Sequence, residues 1–297
     1  MVHSHYGEIS ALLVAFFWSI SALAFEDASK RAGSMPVNII RLVIGLLFLS
    51  LLNFLLRGLA LPVDASSHNW IWLSVSGLIG FVLGDYFLFK SFTIIGSWFA
   101  MLIMTLAPPM AAVFGWIILN EQLSLLSVTG IIITMTGIVI AMFRRDSERK
   151  MRVSKPLPGL LYAFGGALGQ ALGIVFSKYG MQQYSPFAST QIRIIMGIAG
   201  FIALITLTGN WKPVWKTFSD RKAMVSTTIG SFFGPFLGVS FSLMAVRYTS
   251  TGIASTLMAL VPIFIIPPSI ILFSHKVTLR EAIGTVISLG GVVLFFL

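Results

Sequence analysis

Apolar stretches without a single Asp, Glu, Lys or Arg recur from one end of this sequence to the other. Ile9–Phe25, Leu42–Leu56, Ser91–Asn120, Gln122–Phe143, Tyr248–Ser274 and Ala282–Leu297 are the clearest. Crossing the hydrocarbon core of a bilayer takes roughly 20 such residues in a helix. The runs are continuous rather than alternating, so they read as helices and not as strands of a barrel. Ser91–Asn120 is too long for one span and contains Gly96-Ser97, which divides it into the end of one helix and the whole of the next. Charged residues make up only 10% of the 297 residues, against about 25% in a soluble domain. An all-α integral membrane protein is therefore expected.

Ten helices are predicted, over 8–25, 37–56, 70–93, 97–119, 123–143, 158–178, 187–208, 222–246, 250–273 and 279–297. The first resembles a signal peptide ahead of Ala22-Leu23-Ala24, but Glu8 precedes it and no Lys or Arg does, so the basic leader region is missing. It is read as a transmembrane helix. The longest polar stretch, Arg144–Pro158, serves as a linker. The net charge of +10 resides in short loops between apolar runs, where membrane topology places it, so nucleic acid is not an expected partner. There is no cysteine, which removes disulfides and thiolate metal sites.

The two halves repeat. At an offset of 152, Gly7 meets Gly159, Arg41 meets Arg193 and Gly45 meets Gly197. At 154, Gly84 meets Gly238, Met104 meets Met258, Pro108 meets Pro262 and Gly137 meets Gly291. The chain thus divides into repeat 1 (1–145), a basic linker (146–156) and repeat 2 (157–297). Each repeat holds five helices. An odd number inserts the second copy upside down, which gives ten transmembrane helices as two inverted five-helix repeats. Secondary transporters recur in this construction, with the solute near the midplane between the copies.

Trp18, the segment NIIRLVIG, the run TLAPPMAAVFGWIILNEQLS and the segment GIIITMTGIVI stand in the same order as TQIRIIMG, ALVPIFIIPPSIILFSHKVT and GTVISLGGVVL in the second half. This order resembles the EamA repeat of the drug/metabolite transporter superfamily over almost the entire chain. The resemblance implies a ten-helix solute carrier of the cell membrane, often an exporter of amino acids or other metabolites. His275 departs from the pattern, standing where Glu121 stands in the first half.

Orientation is read two ways. Loops and helix ends after odd-numbered helices hold 15 Lys and Arg, against 3 (Arg57, Lys178 and Arg247) on the other side. The positive-inside rule then puts both termini outside. The resemblance implies both termini inside.

Charge inside a membrane is costly and is usually functional or paired. Asp85 lies about eight residues from the end of helix 3, or roughly 12 Å deep at 1.5 Å per residue. Arg41 lies one turn inside helix 2 and is measured from the same face, so the two can pair. Arg193 is the counterpart of Arg41, but its half has Val239 where Asp85 would be. For the arginines, two readings compete: snorkelling to the interface, or lining the pathway and holding an anionic group. Asp85 is read either as half of an ion pair with Arg41 or Lys90, or as a protonatable coupling site. Burial and a neighbouring cation act on such a carboxyl in opposite senses, so no net direction follows.

Further candidates for the solute site are Trp18, Tyr86, Trp98 and Trp116, which offer rings, and Gln170, which matches Trp18 at offset 152. Pro108 and Pro262 interrupt apolar helices at equivalent places, as a hinge or a cavity wall. The cavity is expected between the repeats, lined from helices 1–4 and 6–9. Helices 5 and 10 are expected at the periphery or in a homodimer contact.

Nothing in the sequence suggests catalysis. His3, His5, His68 and His275 lack metal-ligand spacing, no carboxylates are paired along one helix, and no phosphate-binding loop for ATP is present. No cofactor or metal is expected. The leading expectation is a gradient-driven transporter of a small polar solute. The alternatives are a membrane-embedded enzyme acting on lipid and a membrane protein that binds partners without transport.

Overall fold

The computed structural model describes residues 6–119, 125–145, 151–153, 155–248, 254, 257–265 and 278–295. Seven of its helices are long and apolar enough to cross a membrane. They are α1 (Tyr6–Ala32), α2 (Ser34–Arg57), α3 (Ser67–Ile95), α4 (Ser97–Leu119), α6 (Leu157–Met181), α7 (Pro186–Thr208) and α8 (Arg221–Tyr248). Two more, α5 (Leu125–Met142) and α9 (Leu279–Phe295), carry shorter apolar cores. The helix predicted at 250–273 falls largely outside the described residues, as do Glu121 and His275. Two features were not expected. A three-residue strand at Phe143–Arg145 pairs antiparallel with Met151–Val153 in the linker, and a short helix, Trp211–Thr217, precedes α8.

Helix α1 runs seven residues beyond the end expected at Phe25, past Glu26, Asp27, Lys30 and Arg31. Those charges satisfy each other at one-turn spacing: Lys30 Nζ lies 2.5 Å from Glu26 Oε1, and Arg31 Nε lies 2.9 Å from Asp27 Oδ1. Glu26 is also fixed from outside α1, because its Oε2 accepts from the backbone N–H of Ser97, 2.7 Å away, at the first residue of α4. A carboxylate there matches the positive end of the helix dipole. Glu26 is thus a buried acid, 4% exposed, that the helix expected over 8–25 leaves out.

Single glycines join α1 to α2 and α3 to α4. Gly33 (φ 89°, ψ 156°) and Gly96 (φ 81°, ψ 156°) occupy backbone conformations that residues with a Cβ rarely adopt. Each hairpin of helices is thereby closed with almost no loop.

Helices α3 and α8 share a rarer feature. Leu78–Asp85 and Phe232–Gly238 are π-helical, and 232 is 78 plus the repeat offset of 154. Pro235 sits inside the second segment, where the wider turn accommodates its missing N–H.

The halves interlock through equivalent contacts. Helix α3 packs on α6 while α8 packs on α1, and α2 faces α7 while α5 faces α9. Small residues allow the approach. A Cβ on Gly169 of α6 would lie 2.5 Å from Gly84 Cα of α3, and a Cβ on Gly238 of α8 would collide with the indole of Trp18 on α1. Gly84 and Gly238, and Gln170 and Trp18, are equivalent by the repeat. Likewise Gly137 packs on Gly284 and Ser288, while Gly291 packs on Gly130 and Thr134. Polar side chains tie the interfaces together. Asn53 donates to Gln191 (3.0 Å), which donates to Ser50 (2.9 Å) and the carbonyl of Ala60 (2.7 Å). Ser76 and Ser177 share a hydrogen bond of 2.7 Å. Such bonds contribute about 1 kcal/mol each between helices in lipid.

The outer surface is apolar. Val43, Leu47, Leu51 and Leu55 follow one another at four-residue spacing on α2, all exposed. Water would penalise that stripe, whereas lipid tails receive it without cost.

Candidate functional site

A cavity of about 120 Å³ lies where the two halves meet. Its walls come from α1, α2, α3 and α4 of the first half, from α6, α7 and α8 of the second, and from residues 258–262. None of its lining residues belongs to α5 or α9, which pair with each other instead.

Three charged side chains converge on it. Arg41 of α2 is 3% exposed and donates from Nη2 to Asp85 Oδ2 at 2.5 Å. Its Nε donates to Asn38 Oδ1 at 3.0 Å, and Asn38 in turn donates to the carbonyls of Ser34 (3.0 Å) and Asp85 (3.3 Å). Asn38 therefore holds both the guanidinium and the backbone carrying its counter-ion. Phe25, Phe81 and Phe89 enclose the guanidinium, with ring centroids at 5.5, 5.6 and 4.7 Å. Asp85 ends the π-helical segment of α3, and its carboxylate reaches Arg41 of α2.

Arg193 of α7 enters from the other half. It is also 3% exposed, and its guanidinium carbon lies 4.9 Å from the Phe81 centroid. A Cβ on Gly80 would come within 3.2 Å of Arg193 Nη2, so a glycine there makes room for the cation. Arg193 Nε is buried without a hydrogen-bond partner among the described residues. Neither arginine reaches a helix end, so the snorkelling alternative does not describe them. Lys90 is not the partner of Asp85.

Trp18, Gln170, Pro108 and Pro262 also line the cavity, so the structure gathers seven of the ten candidate residues in one place. A short 3-10 segment, Met104–Leu106, leads into Pro108. Three ring candidates lie elsewhere. Tyr86 packs beside Phe87 (5.8 Å) and against the apolar cluster of α2 and α7. Trp98 is 2% exposed in the core beneath α1 and α6, at 5.9 Å from Phe99. Trp116 is 54% exposed on the outer face. What the sequence did not suggest is the aromatic housing of the charges, Phe25, Phe81 and Phe89. Their spacing marks them only as apolar helix residues. Among the described residues no group of three His, Cys, Asp or Glu is placed to hold a metal.

A bundle of apolar helices in two equivalent halves, closed around a buried charged cavity, defines a multi-pass membrane transporter. The particular kind follows from comparison: the model of the EamA-like transporter family matches residues 5–143 and again 157–297, so this chain belongs to that family. An uncharacterized transporter of Clostridium kluyveri is 20% identical over 286 residues, covering 96% of this chain and 91% of its own. An uncharacterized transporter of Archaeoglobus fulgidus is 30% identical over 134 residues, 45% of this chain and 46% of its own. A solved structure described only as "Crystal structure of protein" shares the fold, with a TM-score of 0.60 and 17% identity over 99% of this chain and 96% of that one.

Proposed function

We propose that this protein is a secondary exporter of the cell membrane that carries a small polar metabolite, an amino acid or a similar solute with an anionic group, through the central cavity. The observation that carries this reading is the convergence of Arg41, Asp85 and Arg193, from three helices of two repeats, on one enclosed space. Trp18 and Gln170 occupy equivalent places on α1 and α6 and take part in holding the solute, and Pro108 and Pro262 act as the hinges of the opposite walls. The exchange of helix pairings between the halves supports an inverted repeat, in which rocking of one half against the other alternates access to a fixed site. Asp85 is the coupling residue in this reading, so the driving force is a gradient and not ATP.

Purified protein in liposomes decides the matter. Solutes enriched in cells lacking the protein are loaded inside, and their efflux is followed with and without a pH gradient. Efflux above that of empty liposomes, accelerated by the gradient, is expected. No flux of any enriched solute, together with protein-dependent change in the lipids, would replace this reading with a lipid-acting enzyme.

A further inference from the structure

Arg41 and Arg193 are equivalent by the repeat, yet their surroundings differ. Arg41 has a carboxylate at 2.5 Å and an amide oxygen at 3.0 Å. Arg193 is equally buried, and its Nε has no hydrogen-bond partner. The position equivalent to Asp85 is Val239, which lines the same cavity. Among the described residues the cavity thus holds two guanidinium groups against one carboxylate, and that carboxylate is already engaged by Arg41. A buried cation without a counter-ion is unfavourable, and an anion that arrives beside it relieves that penalty. Among the described residues the second repeat supplies no such anion within ion-pair distance, which leaves that place to a ligand.

We infer that Arg193 anchors the anionic group of the solute, and that the apolar side chain at position 239 sets the site to prefer a solute with one net negative charge over its zwitterionic or cationic analogue. This rests on reading the cavity as the solute site. The reason for the preference is electrostatic and local. A carboxylate finds the guanidinium of Arg193. An ammonium group on the same molecule finds no free carboxylate, because Asp85 is held by Arg41, and it meets a second guanidinium nearby. The solute's apolar body has Phe25, Phe89, Phe92 and Met101 to lie against. Asp at position 239 would reproduce in the second half the ion pair of the first, make the cavity neutral and remove the reason to prefer an anion.

Three probes share one isobutyl body: 4-methylpentanoate, leucine and 3-methylbutylamine, which carry one negative charge, none and one positive charge. Ligand-induced thermal stabilisation of the purified full-length protein at millimolar concentration reads binding without requiring transport. Wild type is expected to be stabilised by 4-methylpentanoate well above leucine, and not by the amine. Val239→Asp should weaken the carboxylate roughly tenfold or more and bring leucine level with it. Val239→Asn, with the same shape and no charge, should keep the wild-type order, and so separates charge from misfolding. Arg193→Gln should lose the carboxylate effect. Failure of 4-methylpentanoate to stabilise wild type, equal stabilisation by leucine, the same outcome for Val239→Asp and Val239→Asn, or retention of the carboxylate effect in Arg193→Gln would each overturn the inference. Flux of the same probes in liposomes is a separate readout: binding in the expected order without flux leaves this inference standing and removes the transport reading.

Discussion

Arg41 and Arg193, from opposite halves of the chain, stand over the same ring: their guanidinium carbons lie 5.6 and 4.9 Å from the centroid of Phe81. Two cations in one enclosed space repel, and the negative face of an aromatic ring offsets part of that repulsion. Phe81 is held in place by Gly197 of α7, where a Cβ would lie 3.2 Å from Phe81 Cβ. Phe81→Leu keeps apolar bulk and removes the ring. We expect a loss of about 1–3 kcal/mol, from two cation–π contacts at about 0.5–1 kcal/mol or more each plus imperfect filling. Reversible unfolding in mixed detergent measures it. A Phe81→Leu protein as stable as wild type would show that the ring does not help hold the two cations.

The α3–α6 interface makes a sharper steric prediction. A Cβ on Gly169 would lie 2.5 Å from Gly84 Cα and 2.9 Å from Gly84 N, backbone atoms that cannot rotate away. Gly169→Ala should cost roughly 1–3 kcal/mol through forced separation of the helices. Gly290 of α9 has nothing within 4 Å of its ideal Cβ. Gly290→Ala should be neutral or stabilising by up to about 1 kcal/mol, since alanine loses less backbone entropy in a helix. The paired thermal unfolding curves check this directly, and equal effects of the two substitutions would contradict it.

The fold was readable because its controlling signals are one-dimensional. Charge-free runs mark spans, and the ordered recurrence of Arg41 and Arg193, Pro108 and Pro262, and Gly84 and Gly238 marks the repeat. Depth along a helix is also one-dimensional, which is why counting residues was enough to bring Asp85 to Arg41. The face a side chain presents is not readable in the same way. A π-helical turn inserts an extra residue, which rotates everything after it by roughly 100° relative to a regular helix. The segment Leu78–Asp85 ends directly before Tyr86, and that ring turns out of the cavity towards α2 and α7. Trp98 follows the one-residue turn at Gly96, which drives the start of α4 into the core. The helix expected over 8–25 stops short of Glu26, because charges usually end a membrane span. The pairing of Glu26 with Lys30 and Ser97 depends on neighbours that only the folded chain supplies.

Outside the membrane-spanning segments, the loop after α2 is clamped to the loop after α6. Tyr184 donates from its hydroxyl to Asp64 Oδ1 at 2.7 Å, and Arg57 pairs with Oδ2. The bond from Tyr184, followed by Arg57, holds the Asp64 carboxyl below its usual range, while burial pushes the Tyr184 hydroxyl up to about 12. The signs follow from linkage. A depressed carboxyl contributes above its unfolded value of about 3.9 and stops contributing as pH falls through its lower folded value. A raised phenol contributes below about 10 and stops contributing as pH rises through its folded value. Between roughly pH 5 and 9 the clamp should therefore be insensitive to pH. Tyr184→Phe should lower thermal stability by a constant amount across that window, and the difference from wild type should shrink towards about pH 3. A difference that grows with acid would mean that Tyr184 does not act through the Asp64 anion.

The last prediction concerns Asp85. Among the described residues its carboxylate is the one that pairs with Arg41, and it lines the cavity in which a solute would sit. A proton released by Asp85 when the solute arrives or when the cavity changes side would tie the two fluxes together without ATP. Asp85→Asn keeps the shape and a hydrogen-bond acceptor for Arg41 while removing the titration. It leaves the guanidinium without a full counter-charge, so some loss of stability is expected, on the order of 3 kcal/mol for a broken buried pair. A folded fraction is therefore confirmed first by gel filtration. In liposomes, Asp85→Asn should abolish accumulation driven by a pH gradient while exchange of solute at equal pH continues within a few-fold of wild type. Accumulation that persists in Asp85→Asn with unchanged pH dependence assigns the coupling elsewhere. Loss of both modes in a folded protein instead makes the Arg41–Asp85 pair part of the solute site itself.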